Sequence, residues 1–120
     1  MKNLNLEDRL NNLHDKINIE GQVKGSLLVR SNGLHISSKL DHNSPVNESR
    51  KLAANIAWVF RYFNKLDELD ALSFKLKETH FHLRYIPSKK VIFTIMTETA
   101  ESPALEKIMK RYALKLQQIL

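Results

Sequence analysis

Apolar and polar side chains alternate strictly in Leu72-Ser73-Phe74-Lys75-Leu76-Lys77 and again in His80-Phe81-His82-Leu83-Arg84-Tyr85. Successive side chains of a strand point to opposite faces of a sheet, so a period of two specifies a strand with one apolar and one wet face. A helix cannot gather such a pattern onto one side. The two runs therefore read as adjacent strands joined by a tight turn near Glu78-Thr79, and the chain must build at least part of a sheet. Val91-Ile92-Phe93-Thr94-Ile95-Met96, beyond a turn at Pro87-Ser88-Lys89, does not alternate and reads as a strand covered on both faces.

A second period surrounds these strands. Leu52, Ile56, Val59, Phe60, Phe63 and Leu66 recur at helical spacing and predict a helix over roughly residues 47–66. Leu6, Leu10, Leu13 and Ile17, four, three and four apart, mark another, with Asn5 as its cap, Glu7 and Asp8 in its first turn and Gly21 past its end. A last helix opens at Ser102-Pro103 and carries Leu105, Ile108, Met109, Tyr112, Leu116 and Ile119. Between the first two helices, Val23-Lys24-Gly25-Ser26-Leu27-Leu28-Val29-Arg30 and Leu34-His35-Ile36-Ser37-Ser38 flank Ser31-Asn32-Gly33. Asn-Gly between strand-like runs is a strong hairpin signal, since both residues tolerate positive φ. Asp41-His42-Asn43-Ser44-Pro45 reads as a loop. The order is α-β-β-α-β-β-β-α, with the first and fifth strands central and the third and fourth toward one edge.

Several function classes drop out on composition. At 120 residues the chain is one domain, 1–120, with neither repeats nor a linker. It has no cysteine, so disulfides, thiolate nucleophiles and the usual structural zinc sites are excluded. There is no signal-peptide stretch and no apolar run of membrane-spanning length, and Lys2 after Met1 excludes myristoylation, so the expected location is the cytoplasm. A net charge of +6 favours acidic partners, but the cations are scattered and not gathered into the stripe of a nucleic-acid reader.

Motifs for chemistry are equally sparse. The three glycines, Gly21, Gly25 and Gly33, form no phosphate loop or dinucleotide fingerprint. Asp41-His42-Ser44 and His35-Ser37 lack a nucleophile elbow. Asn47-Glu48-Ser49 matches a glycosylation acceptor without a secretory context. His80 and His82 share a strand face but lack a third ligand, and read as solvated or interface histidines whose partner contact would be pH-sensitive. No constellation supports an enzyme, a metal or a cofactor.

The stretch Ile19-Glu20-Gly21-Gln22-Val23-Lys24-Gly25-Ser26-Leu27-Leu28-Val29-Arg30-Ser31-Asn32-Gly33-Leu34-His35-Ile36-Ser37-Ser38, with Leu52-Ala53-Ala54-Asn55-Ile56-Ala57, resembles the roadblock family, the dynein light-chain and GTPase-regulator domain. The likeness covers essentially the whole chain and is greatest to the stand-alone prokaryotic small-GTPase regulators. It implies an α/β (α+β) fold: a five-stranded antiparallel sheet of order 2-1-5-4-3, with the second helix on one face and the first and third on the other. It also implies dimerisation, with itself or another roadblock-type chain, by edge-to-edge pairing of third strands and packing of second helices. A small Ras-like GTPase is the implied partner; any nucleotide and magnesium belong to that partner.

On a helical wheel Leu52, Ile56, Val59 and Phe63 form the expected core stripe of the second helix. Ala54, Trp58, Arg61, Tyr62 and Lys65 fall on or near the opposite side, a composition typical of interaction hot spots, with Ala54 small enough to admit a partner closely. Arg61 is the candidate for an arginine supplied in trans to a GTPase. Leu72, Ser73, Phe74, Lys75, Leu76 and Lys77 form the candidate dimer edge, unless Lys75 and Lys77 serve to blunt it. The function expected is a non-catalytic dimeric module that binds and regulates a small Ras-like GTPase; the alternative is an adaptor subunit of a motor or membrane-associated scaffold.

Overall fold

The computed structural model describes residues 5–20, 23–40, 46–100 and 102–120. Its elements are α1 (Leu6–Glu20), β1 (Gly25–Arg30), β2 (His35–Lys39), α2 (Val46–Asn64), β3 (Ala71–Leu76), β4 (Thr79–Ile86), β5 (Val91–Thr97) and α3 (Pro103–Ile119). The strands form one antiparallel sheet of order β2-β1-β5-β4-β3. The loop expected at 41–45, with its Asp41, His42 and Ser44, and the stop at Gly21 lie outside the described residues.

Helix starts follow local chemistry. Asn5 Oδ1 accepts from the Asp8 amide at 2.8 Å, and Ser102 Oγ accepts from the Leu105 amide at 3.2 Å with Pro103 opening the helix. β1 and β5 are central and buried on both faces, as their unbroken apolar runs require. Each sheet face carries its own core. Leu28, Phe93 and Ile95 pack under Leu13 and Ile17 of α1 and Met109 and Tyr112 of α3, whereas Leu27, Val29 and Ile92 pack under Ala53, Ile56, Ala57 and Phe60 of α2.

Four expectations need correction. The core stripe of α2 is Ala53, Ile56, Ala57 and Phe60; Leu52 and Val59 are half-buried and Phe63 is exposed. The helix is therefore turned by close to a quarter of a revolution about its axis, because its alanines let the backbone settle onto the sheet and bulk alone misplaces the contact line. β4 is not wet on one face at its centre, where Phe81, His82 and Leu83 are all buried. Lys77 is not part of the edge strand: β3 ends at Leu76, paired to Thr79, and Lys77 sits in the intervening turn at φ 54°.

The β1–β2 connection also differs from a two-residue turn. Gly33 N–H donates to Arg30 O at 2.8 Å, Arg30 N–H to Leu34 O at 2.8 Å, and Gly33 alone of the loop has positive φ, at 100°. This is a turn closed by a single left-handed residue, a common three-residue hairpin loop. A side chain at position 33 meets that unfavourable φ, so Gly33→Ala is expected to lower stability by about 1–2 kcal/mol. Urea unfolding measures it; an unchanged midpoint would contradict the assignment.

Candidate interaction surface

Turning α2 creates two different exposed faces. On the flank toward β3, Leu52, Val59 and Phe63 look across a groove of about 440 Å³ at Leu72, Phe74 and Leu76, with Phe81 at its floor. Phe74 stacks on Phe81 with centroids 5.1 Å apart, and Leu72 and Phe74 pack only half-buried against the α2-side core. The groove runs on into a cleft of about 520 Å³ that shares Leu52, Asn55 and Phe81 and gains Leu40, Met96, Lys24 and Lys51. β3 is the terminal strand of the sheet, so the outer side of its backbone has no strand partner.

The second face points directly away from the core. Trp58 is 61% exposed and Tyr62 54%, and their rings stack at 5.6 Å with planes 18° apart. Lys51, Asn55 and Lys65 continue the line at helical spacing, and all are exposed. Ala54 and Arg61 are exposed on the side toward β2, where the hairpin comes close: a Cβ built on Gly33 would lie 3.9 Å from both Ala54 Cα and Ala57 Cβ. Among the described residues no ion pair involves Arg50, Lys51, Arg61 or Lys65. The exposed surface of α2 thus carries a stacked aromatic pair and four cations, with Glu48 the one acidic side chain on the helix.

Among the described residues two histidines are buried: His82, which the alternation placed on a wet face, and His14, for which the sequence raised no expectation. His82 is 1% exposed; its Nε2 lies 2.9 Å from Thr97 Oγ1 and its Nδ1 3.2 Å from Ser73 Oγ. Thr97 donates its own proton to Thr99 O, so it accepts from His82 Nε2–H, and Ser73 then donates to Nδ1. His82 therefore ties the edge strand to β5 and is neither solvated nor poised at an interface. His80 stacks beside it at 6.3 Å, and the described residues contain no group of three side chains suited to a metal.

His14 is likewise 1% exposed, with Nδ1 2.6 Å from Ser26 Oγ and Nε2 2.7 Å from Ser37 Oγ. Ser26 donates to Asn18 Oδ1 at 2.9 Å and must accept from His14, which puts the ring proton on Nδ1. Burial above all, then the nearby His35, lowers its pKa from 6.5 to about 4, with Asp15 opposing weakly. His35 is also lowered, by burial and then by Arg50, and its Nε2 lies 2.8 Å from Ser38 Oγ. His14 falls four residues after Leu10 and three before Ile17, so its place on the apolar stripe of α1 was the available signal. The His14–Ser contacts join α1 to β1 and β2.

No family model and no curated protein matches this sequence. Solved structures do. The chain superposes on Myxococcus xanthus MglB with a TM-score of 0.78 at 19% identity, over 92% of this chain and 94% of that one. An MglB with a tetrameric arrangement gives 0.82 at 15%, over 99% and 93%. A Roadblock/LC7 domain from Streptomyces avermitilis gives 0.69 at 13%, over 88% and 92%. This is a roadblock fold. The roadblock architecture explains why two helices share one face of the sheet while α2 lies alone on the other, with its outer surface free. Among the described residues no helix is long and apolar enough to cross a membrane.

Proposed function

We propose that this chain is a non-catalytic cytoplasmic module that dimerises through β3 and the inner flank of α2 and holds a small Ras-like GTPase on the outward face of α2. The observation that carries this reading is the exposed Trp58–Tyr62 stack on a helix whose exposed cations form no ion pair among the described residues. Large exposed aromatics beside arginine concentrate binding energy at protein interfaces, and leaving them in water is unfavourable. The groove against β3 supports self-association for a separate reason. Its wall is apolar and its edge strand unpaired, and an edge-to-edge dimer would cover both. The likeness to MglB and to a Roadblock/LC7 domain, regulators by the family resemblance, favours a GTPase as the partner. Ala54, Arg61 and Lys65 are exposed on the same helix, and Arg61 is the candidate for an arginine supplied in trans to the partner.

The test has two parts. Light scattering across concentrations is expected to give twice the protomer mass. Titration with a Ras-like GTPase of the same genome, loaded with GDP or a GTP analogue, is expected to give nucleotide-dependent binding. Trp58→Ala should weaken that binding by about thirtyfold or more without changing the mass. A dimer that binds no GTPase in either state would instead favour the adaptor role.

A further inference from the structure

Charge along the edge strand is polarised. Asp67, Glu68 and Asp70 precede it, while Lys75 lies near its end and Lys77 in the turn beyond, where Glu78 is the one opposing charge. All six side chains are exposed, and none belongs to an ion pair among the described residues. Lys51 adds to the positive end, because the cleft it lines also includes Thr79, the residue paired with Leu76. The strand thus runs from an acidic start to a basic end over one short element.

We infer that this pattern selects a second copy of the same chain as the strand's partner: Asp67, Glu68 and Asp70 of each copy face Lys75 and Lys77 of the other. The inference rests on the dimer reading above and names what decides the partner. Two identical edges can meet in two ways. A two-fold axis perpendicular to the sheet joins them antiparallel and keeps both α2 helices on one face; an axis along the strands joins them parallel and puts the helices on opposite faces. Only the antiparallel arrangement lets the apolar flanks of the two α2 helices, Val59 and Phe63, approach each other over the joined sheet. It also sets acidic start against basic end at both ends of the seam. Parallel pairing would set acid on acid and lysine on lysine. Opposite charges across a strand pair stabilise and like charges destabilise, each modestly, but symmetry makes every contact occur twice. The lysines therefore do more than blunt the edge: they exclude strangers and admit a copy.

The experiment uses the full chain in two charge variants. One carries Asp67→Lys, Glu68→Lys and Asp70→Lys, leaving Glu78 as the one acidic side chain of a basic edge; the other carries Lys75→Glu and Lys77→Glu, making it wholly acidic. Each alone is expected to self-associate about a hundredfold more weakly than wild type, the two mixed are expected to form a one-to-one dimer, and circular dichroism reports that each folds. A chain carrying all five changes has its polarity inverted and is expected to dimerise again. If wild type is a dimer and the separate variants retain its dissociation constant, the charge pattern does not choose the partner and the inference is overturned. It is also overturned if the mixture fails to recover the dimer. A monomeric wild type overturns the dimer reading itself, which the mass shows before any variant is made.

Discussion

Taking the protein from neutrality toward pH 4 is expected to remove about 3 kcal/mol of stability through His14 alone. The ring is neutral in the folded protein because burial lowers its pKa from 6.5 to about 4, whereas in the unfolded chain it takes a proton at its ordinary value. Between those values the unfolded state binds more protons, so stability falls as pH falls. The contribution is fully present above pH 6.5 and fully lost below about 4. At about 1.4 kcal/mol per unit this gives the stated figure. His35, lowered in the same direction, adds to the slope.

His14→Gln separates this effect from that of every other acid-titrating group. The amide can still donate to Ser26 and accept from Ser37, at a cost of about 1–2 kcal/mol at neutral pH for poorer geometry. Its stability should then change less than wild type between pH 6.5 and 4, so the two curves converge and then cross as the solution is acidified. Urea unfolding across that range measures the convergence. Parallel curves would mean that His14 is not the group responsible.

What the sequence revealed and what it concealed have physical causes. The elements, their order along the chain and the central place of the first and fifth strands were legible because periods of two and of 3.6 are enforced along whole elements; the full strand order and the layers came from the family resemblance. The caps at Asn5 and Ser102 were legible because they depend on neighbours within one turn. The rotation of α2 was not, because Leu52, Val59 and Phe63 are bulky while the residues that touch the sheet include Ala53 and Ala57. Closeness, not bulk, decided the contact. His82 alternates with Phe81 and Leu83 as a wet-face residue would, yet Thr97 on β5 and Ser73 on β3 give its ring partners, and both are distant in sequence. The exposure of Trp58 and Tyr62 was legible from the same wheel that misplaced the core, since they lie away from both candidate stripes.

The corrected rotation leads to the other large effect: Phe63→Asp with Leu76→Asp is expected to weaken self-association about a thousandfold while leaving the protomer folded. Both residues line the groove between α2 and β3, and they are 42% and 59% exposed in the single chain. A carboxylate there stays in water in the protomer and costs it little. In the proposed dimer the facing α2 and the paired strand would close over the groove, and burying an unpaired carboxylate costs several kcal/mol. Two-fold symmetry places both substitutions on both sides, so a loss of about 4 kcal/mol is a conservative sum, equal to the thousandfold stated. Light scattering should show a protomer at concentrations where wild type is a dimer, with unchanged circular dichroism. Trp58→Ala should do the reverse, keeping the mass and losing the GTPase, because its ring lies on the outward face of α2 and not in the groove. A Phe63→Asp, Leu76→Asp chain with wild-type mass would place self-association elsewhere; the same loss of mass in Trp58→Ala would show that the two faces act as one surface.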